Sequence, residues 1–87
     1  MNKLRILVAE DEALIRMDLV EMLTESGYEV VAQATNGAEA IELAKKHKPD
    51  LAILDVKMPV LDGISAAQEI ISIAPVLMLT AFSQREL

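Results

Sequence analysis

A chain of 87 residues with no cysteine is one small domain at most, without a disulfide framework or a thiolate metal site. Its net charge of −6 excludes a segment that itself grips a nucleic-acid backbone or an anionic membrane. Its apolar runs are too short to span a bilayer, and Glu10, Asp11 and Glu12 interrupt any signal-peptide core, so a cytoplasmic location is expected.

The apolar content is 53%, yet it includes one Tyr, one Phe and no Trp, so aliphatic packing must build the core. Leu4–Ala9 is a short apolar run suited to a strand buried on both faces. A first helix follows from about Glu12 to Glu25, with Ile15, Leu19, Met22 and Leu23 recurring at helical spacing. Arg16, Asp18, Glu21 and Glu25 are read as its water-facing side. Gly27 is placed to end it in the left-handed conformation. Tyr28–Ala34 reads as a second strand nearer a sheet edge, because Glu29 and Gln33 break its apolar run.

Asn36-Gly37 turns the chain into a second helix, Ala38–His47, with Ala40, Ile41 and Ala44 inward. Lys45, Lys46, His47 and Lys48 complement the negative end of its dipole, and Pro49 stops it. Leu51–Leu54 reads as a central third strand. Asp62 is placed to N-cap a third helix that runs to about Ser72, with Ile64, Ala67 and Ile71 inward. Pro75 opens a fourth strand, Val76–Leu79, and the polar stretch 82–86 resembles the start of another helix. Strict strand–helix alternation points to an α/β fold with a doubly wound parallel sheet.

Three chemical signals each follow an apolar run: Glu10-Asp11-Glu12, Asp55 and Thr80. In a parallel sheet all three reach the carboxyl edge, where open α/β sheets place their ligand sites. Like charges about 4 Å apart repel by roughly 1 kcal/mol in water and about 4 kcal/mol at intermediate dielectric. Such a cluster recruits a hard cation or raises a pKa, which points to a Mg²⁺-dependent phosphate site. Asp11 and Glu12 as helix-start acids, Asp55 as a loop cap and Thr80 as an ordinary strand end are the blander alternatives. Convergence of the carboxylates on one edge favours the site. Asp62 and Gly63 read as structural, His47 as a solvated helix-end residue, and the lysines near 45–48 as dipole partners.

The order Leu-Val-Ala-Glu-Asp-Glu, then Ile-Leu-Asp-Val-Lys-Met-Pro-x-x-Asp-Gly, then Leu-Thr-Ala resembles the receiver domain of bacterial two-component response regulators. Glu-Asp-Glu-Ala-Leu-Ile-Arg-Met-Asp-Leu and Leu-Thr-Ala-Phe-Ser-Gln-Arg resemble, more narrowly, receivers of ANTAR-type antitermination regulators. The resemblance implies a flavodoxin-like sheet of order 2-1-3-4-5. It implies Asp55 as phosphoacceptor and Asp11 as a direct Mg²⁺ ligand, with Glu10 assisting through water. The main-chain carbonyl of Lys57 would complete the protein ligands, and Thr80 would supply the switch hydroxyl. The implied partners are a histidine kinase, an RNA-binding output domain outside this chain, and a second copy in a homodimer, with no membrane.

Receivers also carry a Lys at the end of a fifth strand, followed by a last helix, and neither is found in residues 1–87. The stretch between Asp55 and Thr80 is a few residues shorter than the family's, near 71–75. The expectation is therefore a single receiver domain, C-terminally incomplete, with residues left out near 71–75 and after 87. A true truncation would instead expose strand 4 as an edge. Two other functions compete. A haloacid-dehalogenase-type phosphohydrolase wants a second acid two residues after its nucleophile, where Lys57 stands. A pseudo-receiver would bind partners without being phosphorylated.

Overall fold

The structure, a computed structural model, describes residues 3–79. Thr80 and the polar stretch after it lie outside the described residues. Four strands, β1 (Arg5–Ala9), β2 (Glu29–Ala34), β3 (Leu51–Asp55) and β4 (Val76–Leu79), alternate with α1 (Ala13–Glu25), α2 (Gly37–His47) and α3 (Gly63–Ile70). The strands pair in parallel in the order β2-β1-β3-β4. The expected 2-1-3-4 arrangement is therefore present, with β1 and β3 central and β2 at an edge.

Side chains alternate across the two central strands, as strand geometry requires. Leu7, Ala9, Ala52 and Leu54 face α2 and α3, meeting Ala40, Ala44, Ala66 and Ile70. Ile6, Val8 and Ile53 face the other way, toward Leu19, Val20 and Leu23 of α1. The register from β1 to β3 is unbroken, ending with Ala9 opposite Leu54. On the other side Ile6 pairs with Val30 and Leu7 with Ala32, so Val31 forms a bulge.

The helix ends follow local chemistry. Gly27 closes α1 at φ 98°, a conformation open to glycine. The Asn36 side chain accepts from the Glu39 N–H at 2.8 Å, and the Glu39 carboxylate accepts from the Thr35 N–H at 2.7 Å. This reciprocal pairing resembles a capping box. Asp62 caps α3 by accepting from the Ser65 N–H at 2.7 Å. Helix α3 stops at Ile70 rather than Ser72, and the N–H groups of Ile73 and Ala74 both donate to the Ile70 carbonyl.

In two helices the inward apolar set differs in part from the expected one, with Leu19, Leu23 and Ala67 packing against the core as expected. Ile15 and Met22 of α1 are exposed, while Leu19, Val20 and Leu23 make the sheet contact. Ile64 and Ile71 are exposed, while Gly63, Ala66 and Ile70 are buried. The small residues let α3 lie close to the sheet, which leaves the larger isoleucines on its flanks.

Gly63 and Gly37 both lie hard against a neighbouring main-chain carbonyl. A Cβ built on Gly63 would overlap the main-chain carbonyl of Asp55. Gly63→Ala is therefore expected to destabilise the domain by roughly 1–3 kcal/mol, the usual range for forced overpacking. Denaturant unfolding of the two proteins measures this, and equal stability would contradict the close approach.

Candidate metal and phosphoacceptor site

Glu10 is the first residue beyond β1, and Asp55 is the last of β3. Because Ala9 pairs with Leu54, both acids leave the sheet side by side. Glu10 is only 4% exposed and Asp55 only 8%, whereas Asp11 stands open to solvent. One carboxylate oxygen from each of Glu10, Asp11 and Asp55 lies within 4.8 Å of the other two. Glu12, Ile15, Val56 and Lys57 complete the walls of a cavity of about 230 Å³. The site lies between β1 and β3, where the chain connections diverge to opposite sides of the sheet. That switch point is the usual ligand crevice of such folds.

The main chain holds the acids in place. The Glu10 N–H donates to the Ala34 carbonyl at 3.0 Å, and the Glu10 carboxylate accepts from the Glu12 N–H at 3.0 Å. Glu12 occupies the N-cap of α1 but makes no side-chain capping bond. The helix-start reading of these acids thus loses its main support: it is Glu10, inside the site, that takes a free N–H of this turn. Lys57 is exposed and lines the cavity, and Gly63 donates its N–H to the Val56 carbonyl at 3.0 Å. The β3–α3 loop is thereby folded back beside Asp55.

Burial raises the Asp55 carboxyl above the ordinary carboxylate range, and the Asp11 charge adds to the rise. The N–H groups of Val56 and Lys57 and the Glu10 carboxyl offset part of it. Glu10 is also raised, first by burial, against the opposing Glu12 N–H, and further by the charges of Asp55 and Asp11. Glu10 and Asp55 therefore hold their protons more tightly than free carboxylates do. Its donor set, hard oxygens close enough to share one ion, fits Mg²⁺.

Of the sequence-predicted residues, the structure brings Glu10, Asp11 and Asp55 together, with Lys57 on the rim. Thr80 lies outside the described residues. Sequence reasoning missed Arg16, assigned to the water-facing side. It is half-buried, and its Nη1 donates to the Glu10 carbonyl at 2.7 Å. The available signal was a long cationic side chain one helical turn beyond three consecutive acids.

Residues 6–87 match the response regulator receiver domain family. The chain belongs to that family. This receiver is 68% identical over 85 residues to the transcriptional regulatory protein PdtaR of Mycobacterium tuberculosis, a match that takes in 95% of this chain but 42% of that relative. The receiver therefore spans less than half of PdtaR. Among solved structures, the receiver domain of the response regulator NarL from Mycobacterium tuberculosis superposes with a TM-score of 0.89 at 36% identity, over 99% of this chain and 73% of that one. The CheY of a CheX–CheY–BeF₃–Mg²⁺ complex from Borrelia burgdorferi gives 0.86 at 27% identity, over 95% and 66% of the respective chains. Among the described residues, no helix is long and apolar enough to cross a membrane.

The raised carboxyls fix the sign of the pH dependence. A proton bound more tightly in the folded state stabilises the fold below the ordinary carboxyl values. That contribution is lost as pH rises through the raised values of Glu10 and Asp55. The metal-free protein is thus expected to melt at progressively lower temperature as pH climbs from the ordinary carboxyl range toward neutrality. Asp55→Asn should flatten this slope and raise the melting temperature in EDTA at pH 7. Relief of about 1 kcal/mol corresponds to roughly 4–8 °C in a domain of this size. A variant that melts at or below the parent temperature would contradict the repulsion argument.

Proposed function

We propose that this receiver is a phosphoacceptor switch that takes a phosphoryl group from a histidine kinase onto Asp55 in the presence of Mg²⁺. The observation that carries the reading is the convergence of two buried carboxylates and one exposed carboxylate at the β1/β3 edge. An Asp55 oxygen forms the new O–P bond while the P–N bond to the donor histidine breaks, and the electron pair leaves with the imidazole. A carboxylate is a weak nucleophile toward phosphorus, so the protein contributes in-line positioning and charge balance.

Asp11 would hold the Mg²⁺, with Asp55, Glu10 and the Lys57 carbonyl as the other protein groups about it. When bound, the ion supplies positive charge to the carboxylates and to the transferring phosphoryl oxygens. The phosphoryl group adds about −1.5 to −2 charge to a pocket whose acids already repel one another. Thr80 is assigned the switch hydroxyl, which would bond a phosphoryl oxygen and pass the signal on. Support for the metal comes from the oxygen donor set and from the family, in which the Borrelia CheY complex contains BeF₃ and Mg²⁺.

The output we assign is RNA-binding transcription antitermination by an ANTAR-type domain outside these residues, in a cytoplasmic protein able to dimerise. Support for it is the resemblance of the segments around Asp11 and Thr80 to that group, together with the 68% identity to a transcriptional regulator. The receiver itself is a signalling module rather than an enzyme.

Intact mass of the full-length protein, before and after acetyl phosphate with Mg²⁺, tests the reading. One phosphoryl adduct is expected, absent in Asp55→Asn, with Asp11→Asn mainly weakening Mg²⁺ binding. An adduct that persists in Asp55→Asn would overturn the phosphoacceptor assignment, and unchanged Mg²⁺ affinity in Asp11→Asn would overturn the ligand assignment.

A further inference from the structure

We infer that Arg16 is a positioning residue for the cation site: it locks the peptide plane between Glu10 and Asp11, and so sets Mg²⁺ affinity without neutralising the acids. This inference rests on the metal reading of the site given above. The carbonyl that Arg16 grips, at 2.7 Å, belongs to the peptide joining Glu10 to Asp11. A peptide unit is planar and rigid, so holding its oxygen restrains ψ of Glu10 and φ of Asp11, the torsions that relate the two residues' Cα–Cβ bonds. The preceding peptide unit, between Ala9 and Glu10, is anchored separately, where the Glu10 N–H donates to the Ala34 carbonyl at 3.0 Å. The Glu10 carboxylate is tied separately, by the Glu12 N–H at 3.0 Å. Without Arg16, the strand end would remain anchored while the turn into α1 was free to tilt.

A guanidinium beside a cation site is at first sight counterproductive, because it competes with the ion for the carboxylates. Here its observed hydrogen bond goes to a neutral carbonyl, and its charge is felt by Glu39 on α2. Glu39 is itself held by the N–H and Oγ1 of Thr35, at 2.7 and 3.0 Å. Arg16 thus holds the β1–α1 turn through a neutral acceptor rather than through a carboxylate of the site. Among the described residues, what sets Glu10 and Asp55 is burial, neighbouring carboxyls and main-chain N–H groups.

The two roles open to Arg16 predict opposite signs. If it acted only as a nearby positive charge, Arg16→Ala would tighten Mg²⁺ binding. As a positioning residue its loss should weaken binding by about tenfold, the lower end of what outer-shell partners of metal ligands contribute. The test is a titration of the full-length protein with Mg²⁺ alone, followed by the amide shifts of Asp11, Glu12 and Val56. Arg16→Lys keeps the charge and a donor and should recover part of the loss. Should Arg16→Ala fail to fold, Arg16→Gln serves the same comparison. Unchanged or tighter binding in the neutral variant overturns the inference, as does an equal loss in Arg16→Lys. Absence of Mg²⁺ binding by the parent protein would instead overturn the metal reading itself, which separates the two failures.

Discussion

Neighbouring strands lie about 4.8 Å apart, and the pairing of Ala9 with Leu54 delivers Glu10 and Asp55 to one sheet edge at that spacing. The acids cannot relax by moving apart without breaking the β1–β3 ladder, which is the centre of the fold. Ile6, Leu7, Val8 and Leu54 are all essentially buried, so a shift in register would turn core residues toward the wrong layer. Hydrophobic burial therefore fixes the spacing of the two carboxyls, and electrostatics must adapt to it. Raised Glu10 and Asp55 carboxyls are the adaptation without a metal, and in the proposed function an ion supplies the compensating charge instead.

The loops above this edge are held by direct main-chain contact, with little room to spare. Gly63 rests against the Asp55 carbonyl, and the Gly37 N–H donates to the Leu61 carbonyl at 2.9 Å. Met58 is buried among the α2 and α3 residues. Between these anchors the chain must turn sharply, and Val60 takes φ 69° while Leu61 N–H reaches the Pro59 carbonyl at 2.7 Å. This is a γ-turn of the strained, positive-φ kind, centred on a β-branched residue that disfavours it. Val60 is 81% exposed, so burial of its side chain offers little compensation. The anchors hold it there, and a strain of order 1–3 kcal/mol is kept next to the residue proposed to carry the phosphoryl group.

Much of this was legible from residue order. The run Leu4–Ala9 suited a strand buried on both sides, Leu51–Leu54 read as a central strand, and their alternation with helices pointed to a parallel sheet. A carboxylate after each run then had to reach the same edge. The helix faces were harder. Reading α3 by its largest apolar residues selects Ile64 and Ile71, whereas the sheet contact uses Gly63, Ala66 and Ile70. Hydropathy rewards bulk, while close helix–sheet packing rewards small residues that let backbones approach. Arg16 was misread for a related reason. Charge alone assigns it to water, although a long side chain can bury its stem and still deliver the guanidinium to a carbonyl. The turn at Val60 carries no glycine or asparagine to announce it, and only the surrounding tertiary contacts explain it.

Repulsion among the acids and the turn at Val60 lie together at one edge, whereas the positive-φ residue at the opposite ends of the strands, Lys48 at φ 47°, is the left-handed cap of α2. There Arg5 meets Lys48 and Asp50 through ordinary hydrogen bonds, at 3.0 and 2.8 Å. Local violations of good packing chemistry concentrate where a fold does its work. Their size matters as much as their position. A ligand in hundredfold excess over its Kd stabilises the folded state by about 2.7 kcal/mol. That is comparable to a like-charge repulsion of about 1–4 kcal/mol. Binding of an ion can thus offset a repulsion of this order without help from the rest of the molecule. In the proposed function a phosphoryl group alters a local balance of a few kcal/mol, rather than working against the whole hydrophobic core. A switch driven by one covalent bond at Asp55 needs a balance of that scale, and the β1–β3 register supplies it.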